Sequence, residues 1–64
     1  MIISIIVERI WEMENGLKIV KTCKGDENYK KIPNTSIYSV EDEESTLNCF
    51  RTLAEARRYA KDFY

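Results

Sequence analysis

Four consecutive carboxylates, Glu41-Asp42-Glu43-Glu44, are the densest group of side chains able to do chemistry in this 64-residue chain. Carboxylates can bind a metal, move a proton, or dock on a basic surface. A calcium loop needs ligands spaced along a turn with a central glycine, and adjacent acids do not supply that spacing. Proton transfer near neutral pH is most easily run by histidine, and the chain has none. Its serines and threonines sit in no nucleophile elbow, and its two glycines form no phosphate-cradling loop. Catalysis is therefore not expected, and no cofactor is called for. Two readings of the acids remain. They are a solvated hairpin turn, or an anionic patch that docks on a protein partner with a basic surface, as a phosphate mimic does.

Cys23 and Cys49 make neither a CxxC pair nor a disulfide framework, and without histidine they cannot complete a zinc site. Buried, reduced thiols are expected. Positive charge gathers at Arg51, Arg57, Arg58 and Lys61. Arg57 and Lys61 share a helical face, and Arg58 can pair with Asp62. A nucleic-acid surface would need aromatics exposed beside these cations. Tyr59 and Tyr64 are the candidates, and both are expected to pack at the edge of a sheet. Ten basic residues against eleven acidic ones argue against binding driven by phosphate neutralisation. The charge is unevenly spread, since residues 25–46 hold six acids against two lysines.

The elements that must position these groups begin with the most legible one, a C-terminal helix. Thr52 and Glu55 have the spacing of a capping box, in which the threonine hydroxyl accepts from the Glu55 N–H and the glutamate reaches back to the Thr52 N–H. Leu53, Ala56, Ala60 and Phe63 then recur on one face. Upstream, residues 1–13 and 17–23 read as two strands rich in Ile and Val. Between them, a three-residue loop at 14–16 with Gly16 left-handed pairs Met13 with Leu17, Trp11 with Ile19, Glu12 with Lys18 and Val7 with Cys23. In that register Arg9 faces Lys21, a like-charge pair. Residues 24–34 read as a connection, 35–40 as a third strand, the acidic run as a turn, and 47–50 as a short fourth strand. The fold class is α+β: an antiparallel β-sheet of three to four strands with one C-terminal helix packed on one face, in a single domain.

One helix covers one sheet face. The predicted register gives the covered face to Ile3, Ile5, Val7, Trp11, Met13, Leu17, Ile19 and Cys23. The other face receives Ile2, Ile6, Ile10 and Val20 among polar neighbours, which is too apolar for a solvated surface. These four residues, on an unusually long first strand, make self-association as a homodimer the expected way to cover it. The apolar start is interrupted by Glu8 and Arg9 and is too short for a membrane helix, so neither a secretory signal nor a membrane partner is expected, and a cytoplasmic location is.

The segment Tyr38-Ser39-Val40-Glu41-Asp42, the acidic turn, and Phe50-Arg51-Thr52-Leu53-Ala54-Glu55-Ala56 resemble the strand–turn–strand–helix ending of small phage and mobile-element accessory proteins. The Thr-Leu-x-Glu-Ala step is also similar to that of HicB-type antitoxins. What the resemblance implies is a genomic setting. Together with the small size, the missing catalytic groups and the acidic run, it gives the expected function: a protein-binding inhibitor of a host or defence factor, of the anti-CRISPR kind. The alternatives are an antitoxin-like, nucleic-acid-associated regulator using Arg51, Arg57, Arg58 and Lys61, and a structural or assembly protein.

Overall fold

The computed structural model describes residues 4–62. Four strands, β1 (Ser4–Glu12), β2 (Lys18–Gly25), β3 (Ile37–Glu41) and β4 (Thr46–Phe50), precede one helix, α1 (Leu53–Asp62). The strands form an antiparallel meander in the order β1-β2-β3-β4, and the helix lies across β2, β3 and β4. The α+β expectation holds.

Local chemistry sets each boundary. Gly16 closes the first hairpin at φ 86°, a conformation that costs L-residues and not glycine. The Met13 N–H donates to the Leu17 carbonyl at 2.8 Å, and Trp11 pairs with Ile19, as the three-residue loop requires. The Glu55 N–H donates to Thr52 Oγ1 at 3.3 Å. In place of the expected return bond to the Thr52 backbone, the Thr52 hydroxyl donates to Glu55 Oε1 at 2.9 Å. The glutamate thus orients the cap.

The core lies between the helix and one half of the sheet. Leu17, Ile19 and Val40 meet Ala56 and Ala60, with Trp11, Tyr38, Leu47, Phe50, Leu53 and Tyr59 packed around them. Two alanines on the inner face let the helix approach closely enough that Ile19, Val40, Ala56 and Ala60 are wholly out of solvent.

The register departs from expectation beyond Arg9. A β-bulge between Val7 and Arg9 inserts one residue, so Ile6 pairs with Cys23 and Val7 with Thr22. One extra residue exchanges the two faces for everything before it. Ser4, Ile6 and Glu8 therefore turn toward the helix side and are half-buried, while Ile5 and Val7, expected in the core, are exposed on the uncovered face. The bulge resolves the like-charge pair. Glu8 reaches Lys21 at 3.7 Å and Lys31 at 3.0 Å, and Ser36 Oγ donates to it at 3.3 Å. The two neighbouring cations rest on rings, Arg9 over Trp11 at 5.0 Å and Lys21 over Tyr38 at 5.7 Å. Loop 26–36 folds back through these Glu8 contacts, the Gly25–Lys31 bridge and the Ile32 N–H to the Lys24 carbonyl. It covers what the helix does not reach. A Cβ on Gly25 would run into Ser4 Oγ and Ile6 Cδ1, so glycine is what lets β1 and β2 close there.

Candidate interaction surfaces

In a meander, the β1–β2 and β3–β4 turns emerge at the same end of the sheet. The row Glu12–Lys18–Glu41 crosses three strands there, and Glu12, Gly16, Lys18, Asp42 and Glu43 line one shallow hollow. Asn15, Gly16, Asp42, Glu43 and Glu44 line a second. The fold thus joins Glu12 and Glu14 to the acidic run, making a pole of six carboxylates around Lys18. Spacing along the chain could not show this, because the two turns are separated by the whole of β2 and β3. The hairpin periodicity carried the signal.

The four acids of the run do different things. Asp42 Oδ1 accepts from the Glu44 N–H at 2.8 Å and the Ser45 N–H at 2.7 Å, and the Asp42 N–H donates to the Ser45 carbonyl at 3.0 Å. Those two backbone donors hold the Asp42 carboxyl below its ordinary value. Asp42 builds the turn. Glu41 ends β3 opposite Lys18 and is half-buried, whereas Glu43 and Glu44 are exposed. The helix adds to the field. Asn15 Nδ2 donates to the Ala60 carbonyl at 2.9 Å, so the negative end of the helix dipole abuts the acidic pole.

The other end of the sheet carries charges of both signs. Lys24 and Arg51 line a hollow with Thr35, Ser36, Ile37, Cys49 and Glu55. Among the described residues the only ion pairs are the two on Glu8, so neither cation is neutralised in this way. The expected Arg58–Asp62 pair does not form either. Arg57, Arg58 and Lys61 are exposed on the helix, and among the described residues no exposed aromatic lies on the helix with them. Tyr59 is half-buried against Phe50, its ring centroid 5.3 Å away, as expected of it. Tyr64 lies outside the described residues.

The uncovered sheet face keeps its apolar character with different members. Ile10 and Val20 are there as expected, paired with each other, Ile10 52% exposed and Val20 buried among its neighbours. Ile6 is not, because the bulge turns it to the other side. Ile2 lies outside the described residues. Ile5 and Val7 take the vacated positions, 63% and 57% exposed, and Ile37 joins them across Thr22 from Val7. Cys49, expected to be buried, is an exposed thiol on this face, while Cys23 is buried, and both are free.

Sequence reasoning missed Tyr29. It sits at φ 59° on the tip of loop 26–36, three-quarters exposed, in a turn held by Asn28 and Lys30 N–H bonds to Asp26 Oδ1. Only Asp26 and Asn28, as turn formers, hinted at it. No group of three or more metal-ligating side chains is clustered among the described residues, and no helix there is long and apolar enough to cross a membrane. No family model matches the chain, and no curated protein or solved structure shows significant similarity to it.

Proposed function

We propose that this chain is a non-enzymatic module that binds a protein through the acidic end of its sheet, the partner presenting a basic surface. The supporting observation is the meeting of the two hairpin turns, which sets Glu14, Glu43 and Glu44 on one exposed tip above Glu12 and Glu41. Clustered like charge costs stability through self-repulsion, and here the helix dipole adds to it instead of relieving it. A pole of one sign opposite Lys24 and Arg51 also orients an approaching basic partner before contact. In the phage or mobile-element setting that the resemblance implies, such a module acts as an inhibitor that occupies the basic site of a host or defence protein.

The test is affinity capture from host lysate with a charge-matched control. Reversal of Glu14, Glu43 and Glu44 to lysine removes the tip and spares Asp42, which the turn needs. Reversal of Glu27 with lysine also placed at the exposed Asn28, Tyr29, Pro33 and Ala54 changes net charge equally elsewhere. The reading expects a captured protein that is lost with the first set, retained with the second, and released by salt. Equal loss with both sets overturns it. A salt-sensitive shift of duplex DNA or RNA that depends on Arg51, Arg57, Arg58 and Lys61 would favour the nucleic-acid regulator instead.

A further inference from the structure

We infer that the uncovered sheet face is the seat of a second copy of this chain, packed face to face with its strands running in the reverse direction. Three observations carry this.

The first is surface. The chain exposes 4931 Å², against roughly 4300 Å² expected of a compact protein of its mass. Its radius of gyration is 12.4 Å, against about 10.7 Å for a compact chain of this length. The excess approaches the roughly 800 Å² per partner that a stable interface buries. The molecule has the proportions of half a sandwich, one sheet with a helix on one side only.

The second is where the apolar residues stand. Register places them in rows across the face: Ile5 with Lys24; Val7, Thr22 and Ile37; Ile10, Val20, Ser39 and Cys49; then Glu12, Lys18, Glu41 and Thr46. Most apolar exposure runs along β1. A two-fold axis parallel to the strands would lay β1 of one copy over β4 of the other, setting Val7 beside Arg51. An axis across the strands lays β1 over β1 of the second copy, with Ile10 against Val7 and Val20 against Thr22, which buries the two exposed aliphatic side chains of β1 on each other.

The third is charge. The acidic row and the basic row lie at opposite ends of the apolar strip. Reversal lays the row Glu12–Lys18–Glu41 of one copy over Lys24 of the other, Lys18 opposite Lys24 and an acid on either side, so that the row's net negative charge meets the lysine twice over by symmetry. An isologous interface requires this self-complementarity. The bulge is what creates it, since without the extra residue Ile5 and Val7 would face the loop side. The tip acids Glu14, Glu43 and Glu44 lie beyond the contact, so this inference stands apart from partner docking.

Light scattering after size exclusion, across concentrations from low micromolar to about 1 mM, reads the association. A dimer is expected, and Val7→Lys and Ile10→Lys each abolish it. Both positions are solvent-exposed in the single copy, so circular dichroism should be unchanged. Arrangement is tested by charge exchange. Lys24→Glu alone and Glu41→Lys alone should each weaken association roughly tenfold, and combining them should restore it. A monomer throughout the range, or a dimer that survives Val7→Lys, overturns the inference. Failure of the exchanged pair to recover overturns the reversed arrangement.

Discussion

The two faces of the sheet carry similar aliphatic residues and treat them in opposite ways. On the helix side, Leu17, Ile19 and Val40 are sealed beneath Ala56 and Ala60. On the other, Ile5, Val7 and Ile10 stand in water around the buried Val20. Composition cannot explain the difference, because isoleucine and valine occur on both. What separates them is the reach of a ten-residue helix and the position of one bulge. A side chain here is core or surface according to what covers its half of the sheet.

The sharpest way to break this contrast is to remove volume from the covered face. Ile19→Ala should cost about 2–5 kcal/mol, the lost transfer energy plus an unfilled cavity, in a site too tightly packed to collapse. A domain of this size has about 3–10 kcal/mol in total, so the variant should lose a large share of its stability. Urea denaturation followed by tryptophan fluorescence of Trp11 reads this directly. Overfilling the same contact comes next. Ala60→Leu should cost about 1–3 kcal/mol by pushing the helix from the sheet. It should also lengthen the Asn15–Ala60 bond, visible as faster hydrogen exchange at the first turn.

How much of this was legible beforehand depends on the half of β1 considered. Near the turn the sequence had enough, since a three-residue loop with Gly16 fixes Trp11 against Ile19 and Glu12 against Lys18, and the Thr52–Glu55 spacing fixes the helix start. Beyond Arg9 it did not. Ile5-Ile6-Val7 is apolar at every position, so its alternation carries no phase, and either face could claim it. One signal was present: Arg9 opposite Lys21 leaves two cations together, and an acid one residue away can be brought alongside only by a bulge. The acidic pole was half legible. The run itself was plain, but the company of Glu12 and Glu14 depends on strand order, and the diversion of Asp42 into the turn depends on backbone geometry.

Glu8 stands where the two faces change places, and its titration sharpens the comparison. The hydrogen bond from Lys31 first, with the nearby charges of Lys21 and Lys31, holds its carboxyl below the ordinary 4.5 despite partial burial. A lowered carboxyl contributes stability above pH 4.5 that is lost as pH falls through its folded value. The same contact raises Lys31 above the ordinary 10.5, giving stability present below that pH and lost as pH rises through the raised value. Glu8→Gln should therefore lower stability at pH 7 by less than either core change. It should also flatten both the acid and the alkaline limbs of a pH–stability curve. Asp42, also lowered, keeps part of the acid limb in the variant. An unaltered alkaline limb would mean that Glu8 does not hold loop 26–36.

The smallest effect is expected on the open face. Val7→Thr preserves shape and β-branching, and at an exposed site it exchanges a methyl for a hydroxyl that water can satisfy. In a dilute single copy its cost should stay within about 0.5 kcal/mol, as for ordinary surface changes. The same substitution on the covered face, Val40→Thr, buries that hydroxyl without solvent and should cost about 1–3 kcal/mol. The pair isolates face from chemistry, because the atoms exchanged are identical. If both variants are measured by urea denaturation at low micromolar concentration, a gap of at least about 0.5 kcal/mol is expected between them. Repeating Val7→Thr at high concentration adds the contribution of a covering copy, and the gap should then narrow as position 7 also leaves water. A Val7→Thr cost as large as that of Val40→Thr in the dilute chain would mean that β1 is packed on both sides within one molecule.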